Sequence, residues 1–514
     1  MIAPLFTFVA AFFAAAVSGA AVPSADVSFE RRAANGIEDP GVFPHGKKSM
    51  YTSGWDKLID VKGAKIDNST FKFGKHGARL VAYVSEKEEK SKIKRAVIAV
   101  HGDYRDPWNQ FIYVNKALQN AVKDGGVKEE EVSIVAPFFA SQKDQGAYSV
   151  DKNGVSNTKT LIWDQTTWGD GSDAIYPSFT KSGELNNTAY HKLDGTYQDT
   201  KHSKKHDDED SKHNKKHDDE DSKHSERHDR RSINVKNSAE SQRQGPHVSP
   251  FDVLDKLIEH FLDKKQYPNL VTVVVSGFSL GAQLTQRYIA LRKDAKDTRV
   301  NFGVNAPGTF MYISEDRIDG ADKCDGYNNY KYGLGGELPT YVSRNKVDTS
   351  SDAVMDRYFN ATTYYMVGAN DDNKGDTSCQ ANAQGKDHLE KMVNWVRKIL
   401  PKLHADKHDS AGLTKDGIPK NTFFTTISGV SHQAYGVYLS KQGTQMLFLD
   451  DYDEKGKSAK GDLPLKPGAD NDDEMTPEGK SKKKHLDNDN AATLPTVSVP
   501  VATAAMLFTA AVLL

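Results

Sequence analysis

Short runs of continuous apolar residues alternate with segments of helical periodicity along most of this chain. Amphipathic helices are predicted at 251–262 and 388–400, where apolar residues recur on one helical face. Runs of strand character stand at 95–102, 132–139, 269–277, 299–308, 362–371 and 422–429. Strands that lack in–out alternation and are separated by helices predict an α/β fold with a mostly parallel sheet, covered on both faces.

One strand-to-helix junction reads VSGFSLGAQ, residues 275–283. The apolar run NLVTVVV precedes it and the helical pattern LTQRYIALRK follows it. Gly277 and Gly281 flank Ser279, and a sharp bend needs such small residues for steric room. The junction therefore predicts a serine hydroxyl held above the sheet, with an ordinary turn serine as the alternative.

Two later strands are followed by residues that activate a serine. The sequence ANDD at 369–372 follows one strand, and VSH at 430–432 follows another. A serine hydroxyl is a weak nucleophile unless a histidine, oriented by a carboxylate, removes its proton. We therefore predict Ser279 as nucleophile, His432 as base and Asp371 as the orienting acid, with Asp372 as a rival for that last role.

The order Ser279, Asp371, His432, each after an apolar strand, resembles the α/β-hydrolase superfamily and, within it, secreted fungal serine esterase-like proteins. The resemblance covers about residues 90–440 apart from a polar insertion. It implies the α/β-hydrolase fold, a mostly parallel sheet of about eight strands flanked by helices. The sequence His101-Gly102 resembles the superfamily's oxyanion turn, so the backbone N–H groups of Asp103 and Leu280 are expected to stabilise the oxyanion. No metal or organic cofactor is implied for catalysis.

The segment at 201–231 contains no apolar residue and repeats with a period of 11. It belongs to a polar stretch, 181–248, that cannot bury enough surface to offset the loss of chain entropy. We predict a disordered insertion between the fourth and fifth core strands, with metal capture by its histidines as the alternative. The recurring histidines are His202, His206, His213, His217, His224 and His228. The insertion and a Gly/Tyr-rich stretch at 320–341 are candidates to cap the site.

Both ends of the chain are typical of targeting signals. Residues 1–20 predict a cleaved signal peptide, with a transmembrane anchor as the alternative. The apolar tail at 491–514 follows small residues and a polar linker at 451–490, which predicts attachment of a glycolipid (GPI) anchor at Asn490 and removal of the tail. A tail-anchored helix is the alternative for this end. An N-terminal segment at 21–50 and a hydrolase domain at 51–450 lie between the two signals.

The predicted secretion has consequences for the cysteines and for glycosylation. The chain has two cysteines, Cys324 and Cys379, which in an oxidising compartment most simply form one disulfide, with two buried thiols as the alternative. Glycosylation sequons stand at Asn68, Asn186 and Asn360. The net charge of −2 gives no indication of a nucleic-acid partner, and oligomeric state leaves no trace in the sequence.

These features predict a secreted, GPI-anchored serine hydrolase at the cell surface or cell wall, acting on an acyl ester through an acyl-enzyme. Lipases, peptidases and acyltransferases share this machinery, so the substrate stays open. A wall-remodelling transferase is a further possibility suggested by the anchor. The alternative of a different class is a non-catalytic GPI-anchored protein on the same fold, serving adhesion or metal capture through the histidine repeat.

Overall fold

The computed structural model describes residues 38–43, 54–149, 157–180, 182–186, 245–293, 297, 299–318, 324–404, 413–414, 417–452 and 458–459. The predicted signal peptide, histidine repeat and anchor site Asn490 lie outside these residues. Eight strands of the described part form one sheet. They are β1 Ala64–Asp67, β2 Val81–Ser85, β3 Arg95–Val100, β4 Val132–Phe138, β5 Thr272–Phe278, β6 Val300–Asn305, β7 Thr362–Gly368 and β8 Thr422–Ile427.

The strands lie in the order β1-β2-β4-β3-β5-β6-β7-β8. Strand β2 pairs antiparallel with β1 and β4, whereas the pairs from β4 onward to β8 are all parallel. This is the strand order of the α/β-hydrolase fold, so the predicted fold class is confirmed. Strand β5 lies in the middle of the sheet and every one of its residues is buried, in keeping with its valine-rich sequence. Its carboxyl end therefore opens at the centre of the sheet edge where sites form.

Helices flank the sheet, and one of them begins at a recognisable capping motif. The helix predicted at 251–262 begins at Pro250, where Ser249 and Asp252 form a reciprocal capping box. The helix that leaves β5 packs against β5 and β6, and the long helix after β3 packs against β2, β3 and β4. The helices are α1 Pro107–Lys123, α2 Pro250–Leu262, α3 Leu280–Leu291, α4 Thr340–Arg344, α5 Ser351–Asn360, α6 Cys379–Asn382, α7 His388–Asn394, α8 Leu400–His404, α9 Ala434–Tyr438 and α10 Lys441–Thr444.

The six predicted strands are present, but several end before the predicted boundary. The runs at 299–308 and 362–371 each contain a strand followed by three loop residues. The predicted helix at 388–400 is also present, and it continues through a π-helical turn, Trp395–Ile399, into α8. Strands β1 and β2 are not among the predicted strands, and the residues of β1 are all at least partly exposed.

Outside the main sheet, the structure adds short two-stranded pairs and surface features that bear on secretion. The pairs are Lys72–Phe73 with Ala78–Arg79, Ala140–Ser141 with Ile162–Trp163, and Asp451–Tyr452 with Ser458–Ala459.

Of the sequon residues, Asn68 and Asn360 are exposed and Asn186 is partly exposed. None of the helices in the described ranges is both long and apolar enough to cross a membrane.

Candidate active site

The turn between β5 and α3 holds Ser279 in a backbone conformation that residues other than glycine rarely adopt. Its φ is +56° and its ψ is −119°. Such conformations cost on the order of 1–3 kcal/mol and persist only where the surrounding structure enforces them. The predicted sharp bend is therefore present, and Ser279 occupies its strained position.

The two glycines of the bend are required by close backbone approach. A Cβ at Gly277 would lie 2.1 Å from the carbonyl oxygen of Gly281. A Cβ at Gly281 would lie 2.4 Å from the carbonyl oxygen of His101, at the end of β3. Both obstacles are backbone atoms that cannot rotate away. The Gly-x-Ser-x-Gly spacing thus lets α3 start directly against the neighbouring strand end.

Asn305, the last residue of β6, fixes the bend from the other side. Its carbonyl oxygen accepts a hydrogen bond of 2.9 Å from the backbone N–H of Ser279. Its side-chain Nδ2 donates to the carbonyl oxygen of Gly277 at 2.8 Å and to Ser276 Oγ at 2.9 Å. The sequence analysis missed this residue, because only its place at a strand end links it to the bend.

The predicted acid and base are in contact. His432 Nδ1 lies 2.8 Å from Asp371 Oδ2, and the Asp371 side chain is completely buried. The contact leaves the other ring nitrogen, Nε2, available to accept a proton. The rival Asp372 is exposed to solvent. The structure thus pairs His432 with Asp371, as predicted, although the roles of both in catalysis stay predictions.

Close approach of two loops creates this pair. A Cβ at Gly368, the last residue of β7, would lie 2.3 Å from the carbonyl oxygen of Val430. The backbone N–H of Asn370 donates to the same oxygen at 2.9 Å. The acid loop after β7 and the histidine loop after β8 are therefore held side by side at the sheet edge.

Ser279 and His432 line one cavity of about 600 Å³. The Phe278 ring packs beside His432, with ring centroids 4.8 Å apart. Among the described residues, no hydrogen bond joins the Ser279 hydroxyl to the His432 ring. This contact is commonly long in enzymes without substrate and tightens when substrate binds. The arrangement therefore suits a serine nucleophile and its base facing a shared cavity.

The predicted oxyanion turn is placed against the serine. A Cβ at Gly102 would lie 3.4 Å from Ser279 Cβ, and both Asp103 and Leu280 line the cavity. Leu280 opens α3, and the first N–H groups of a helix have no acceptor within it. The two backbone N–H groups are thus near the serine, and their role in stabilising an oxyanion stays a prediction.

His101 supports this turn as a neutral, buried group. Burial lowers the pKa of His101 to about 3. Its Nδ1 donates to the carbonyl oxygen of Gly102 at 2.8 Å, and its Nε2 accepts from the backbone N–H of Phe139 at 3.0 Å. The imidazole thereby ties the loop after β3 to the end of β4 and holds Asp103 in place.

The structure adds a second histidine, His388, that the sequence analysis missed. Its Nδ1 donates to the carbonyl oxygen of Asn373 at 2.6 Å and lies 3.4 Å from Asp371 Oδ1. Its ring stacks on His432 at a centroid distance of 4.1 Å. Burial and the adjacent His432 lower the pKa of His388, so this imidazole is neutral. No spacing in the sequence connects the first residue of α7 with the site.

The two imidazoles set the charge of Asp371. Burial works to raise the pKa of Asp371, but contacts with His388 and His432 outweigh burial and hold the pKa well below its usual range. Asp371 is therefore a carboxylate that only accepts hydrogen bonds, and His432 must carry its proton on Nδ1. This is the tautomer in which Nε2 accepts a proton from serine.

The same three residues have the spacing of a metal site. Asp371, His388 and His432 each offer one ligand atom, and these atoms lie within 4.8 Å of one another. Both Nδ1 atoms are engaged, with the Asp371 carboxylate and the Asn373 carbonyl. A metal ion would have to replace these hydrogen bonds, so the present geometry favours the acid–base pair.

The Gly/Tyr-rich stretch at 320–341 contributes to the wall of the cavity. Lys331 and Tyr332 belong to the Gly/Tyr-rich stretch after β6, and both line the cavity. Cys324 and Cys379 form a disulfide bond, as predicted, which ties this stretch to α6. The hydroxyl of Tyr332 donates to Asp376 Oδ2 at 2.8 Å, which adds a second tie to the loop after β7.

No family model and no curated protein matches this chain. Among solved structures, poly(aspartic acid) hydrolase-1 from Sphingomonas sp. KT-1 is 13% identical, with a TM-score of 0.40 over 76% of this chain and 99% of that chain. A poly(3-hydroxybutyrate) depolymerase from Bordetella parapertussis is 12% identical, with a TM-score of 0.37 over 74% and 87%. The siderophore hydrolase EstA from Aspergillus nidulans is 9% identical, with a TM-score of 0.33 over 76% and 97%. Likeness at this level says nothing about the substrate of this chain, and the fold assignment rests on its strand order.

Proposed function

We propose that this protein is a serine hydrolase that cleaves carboxylic esters through an acyl-enzyme. One observation carries the proposal. Ser279 stands in an enforced, strained turn and lines the same cavity as His432, whose Nδ1 contacts the buried carboxylate of Asp371. Residues in sparsely populated conformations cluster at active sites, where surrounding packing maintains them.

The reaction follows from these positions. The Ser279 Oγ–H bond breaks as Oγ attacks the ester carbonyl carbon, and His432 Nε2 takes the proton. Asp371 stabilises the resulting imidazolium, while the N–H groups of Asp103 and Leu280 are placed to stabilise the oxyanion. The carbon–oxygen bond to the alcohol then breaks, and His432 returns the proton to the departing alcohol. Water, activated by His432 in the same way, cleaves the acyl-enzyme and releases the acid.

The cavity fits a substrate of modest size. Its volume of about 600 Å³ lies within the range of sites for small molecules. The lining combines aromatic rings, such as Phe278 and Tyr435, with polar groups that include Gln283 and Asn373. These features support a small ester rather than a folded polypeptide as the substrate.

Labelling with a fluorophosphonate probe tests the proposal. The wild-type protein is expected to form one covalent adduct, located at Ser279 by intact mass and peptide mapping, and Ser279→Ala is expected to form none. Ser378→Ala is the matched control, because Ser378 lines the same cavity and should leave labelling unchanged. A folded, disulfide-bonded wild-type protein that does not react would refute the proposal.

We further propose that the enzyme is held at the outer cell surface by a glycolipid. The sequence of the chain's end motivates this, and the disulfide together with exposed Asn68 and Asn360 is compatible with secretion. A phosphatidylinositol-specific phospholipase is expected to release the protein from intact cells, and Asn490→Pro is expected to abolish surface retention. Protein that stays membrane-bound after phospholipase treatment would favour a tail-anchored helix instead.

A further inference from the structure

One wall of the cavity is built from hydrogen-bond acceptors. Asp103, Asp106 and Gln110 line the cavity on the side of Ser279 where β3 ends and α1 begins. We call these three residues the acidic wall. Asp106 and Gln110 are only 5% and 3% exposed and Asp103 is partly buried, so most of the wall belongs to the interior.

Gln110 provides a hydrogen-bond acceptor that is free to bind a ligand's donor group. Its amide oxygen is buried and has no hydrogen-bond partner among the described residues. Leaving such a group unsatisfied costs about 1–3 kcal/mol. Asp106 accepts a hydrogen bond of 2.9 Å from Asn109 Nδ2, and a carboxylate has further acceptor capacity. A ligand that brings donors would therefore satisfy groups that the described part of the protein leaves open.

The positive charges nearby do not neutralise the wall. Arg105 forms a two-point ion pair with Asp144, with distances of 2.8 and 3.1 Å. Lys331, on the opposite flank of the cavity, lies 3.7 Å from Asp170. Two further carboxylates, Asp39 and Asp376, also line the cavity, so acidic groups outnumber the lysine.

Burial makes the charge of Asp106 costly. Desolvation raises the pKa of Asp106 to about 7, with the carboxylates of Asp103 and Asp39 adding to the effect and Asn109 opposing it. Burial likewise raises the pKa of Asp103, against the influence of His432 and Arg105. A cation bound at the wall would relieve this cost by favouring the ionised carboxylates.

The set of acceptors in the wall favours an organic cation over a metal ion. Within the described residues, the one group of three His, Cys, Asp or Glu ligand atoms that lie within 4.8 Å of one another is Asp371, His388 and His432. The wall, which combines two carboxylates with an amide oxygen, is not part of that group, and its acceptors suit a ligand that presents several N–H donors.

We propose that the acidic wall binds an ammonium or guanidinium group of the substrate while the ester carbonyl lies at Ser279. This inference rests on the proposed function and names its substrate class, namely esters whose acyl or alcohol part carries a positive charge. A site built to hydrogen-bond such a group rejects an analogue without it, because its polar groups are then left unpaired.

Matched substrates test the inference. Two pairs of esters are compared, and the two members of each pair are equal in size. In the first pair the acyl chain ends either in a primary ammonium group or in a methyl group. In the second pair the alcohol part carries the same difference. At least one ammonium ester is expected to have a kcat/KM about tenfold or more above that of its neutral partner. Asp106→Asn, which keeps the size of the side chain and an oxygen that can accept from Asn109 Nδ2, is expected to lower this ratio at least fivefold.

Asp372→Asn is the matched control, because it makes the same change after β7 on an exposed side chain that does not line the cavity. Its ratio should stay within twofold of wild type. If Asp106→Asn does not fold, Gln110→Leu provides the same test and should also lower the ratio. Wild-type protein that labels at Ser279 but shows no ammonium preference would overturn the inference and leave the hydrolase proposal standing, and so would equal losses in Asp106→Asn and Asp372→Asn. Absence of labelling would instead refute the hydrolase proposal itself.

Discussion

Asp371→Asn is expected to lower kcat for ester hydrolysis by about 10⁴-fold while leaving the protein folded. In the wild type, His432 Nδ1–H donates to the Asp371 carboxylate. An asparagine amide in this position donates its own N–H to Nδ1, so the imidazole proton moves to Nε2. His432 then cannot accept the proton of Ser279, although every neighbour stays in place. Steady-state kinetics with a chromogenic ester and circular dichroism provide the measurement.

Two variants show whether the effect belongs to Asp371. Asp372→Asn makes the same change one residue away on an exposed side chain and should leave kcat within about twofold. His388→Gln should lower kcat by about tenfold, because His388 supports the ionised Asp371 through a contact longer than a full hydrogen bond. An Asp371→Asn enzyme with more than a tenth of the wild-type rate, or an equal loss in Asp372→Asn, would contradict the assigned roles.

The bend at Ser279 could be predicted because local sterics determine it. Gly277 and Gly281 are needed wherever a helix starts hard against a buried strand, and that requirement is visible in nine consecutive residues. The contact between Asp371 and His432 could be predicted because each residue follows an apolar strand. Parallel strands bring their carboxyl ends to one edge, so residues distant in sequence become neighbours there.

Other parts of the site depend on packing that has no local signal. Asn305 and His388 look like ordinary residues at the end of a strand and the start of a helix, and only the register between β5 and β6 and the position of α7 give them a role. Asp106 and Gln110 precede Ser279 by about 170 residues. Their arrangement as a wall follows from the position of α1 beside the sheet rather than from any motif.

The loop that carries this wall is held by a buried ion pair, and breaking that pair is the second large effect we expect. Arg105 Nε and Nη2 contact the two carboxylate oxygens of Asp144, and the side chains are 1% and 0% exposed. Asp144 also accepts from the backbone N–H groups of Trp55 and Ser141, at 2.9 and 2.8 Å. Its carboxylate therefore joins three separate segments of the chain.

Arg105→Met should lower the free energy of unfolding by about 3–5 kcal/mol, because it leaves the Asp144 carboxylate buried without its counter-charge. Denaturant titration at neutral pH measures the loss. Arg299→Met is the matched control, since Arg299 contacts Asp297 through the same two nitrogens but the pair is about one-third exposed. That variant should cost no more than about 1 kcal/mol, as solvent screens the pair. Equal losses in the two variants would mean that the Arg105–Asp144 pair does not hold the loop through buried charge, and that Arg105 acts there only by filling space.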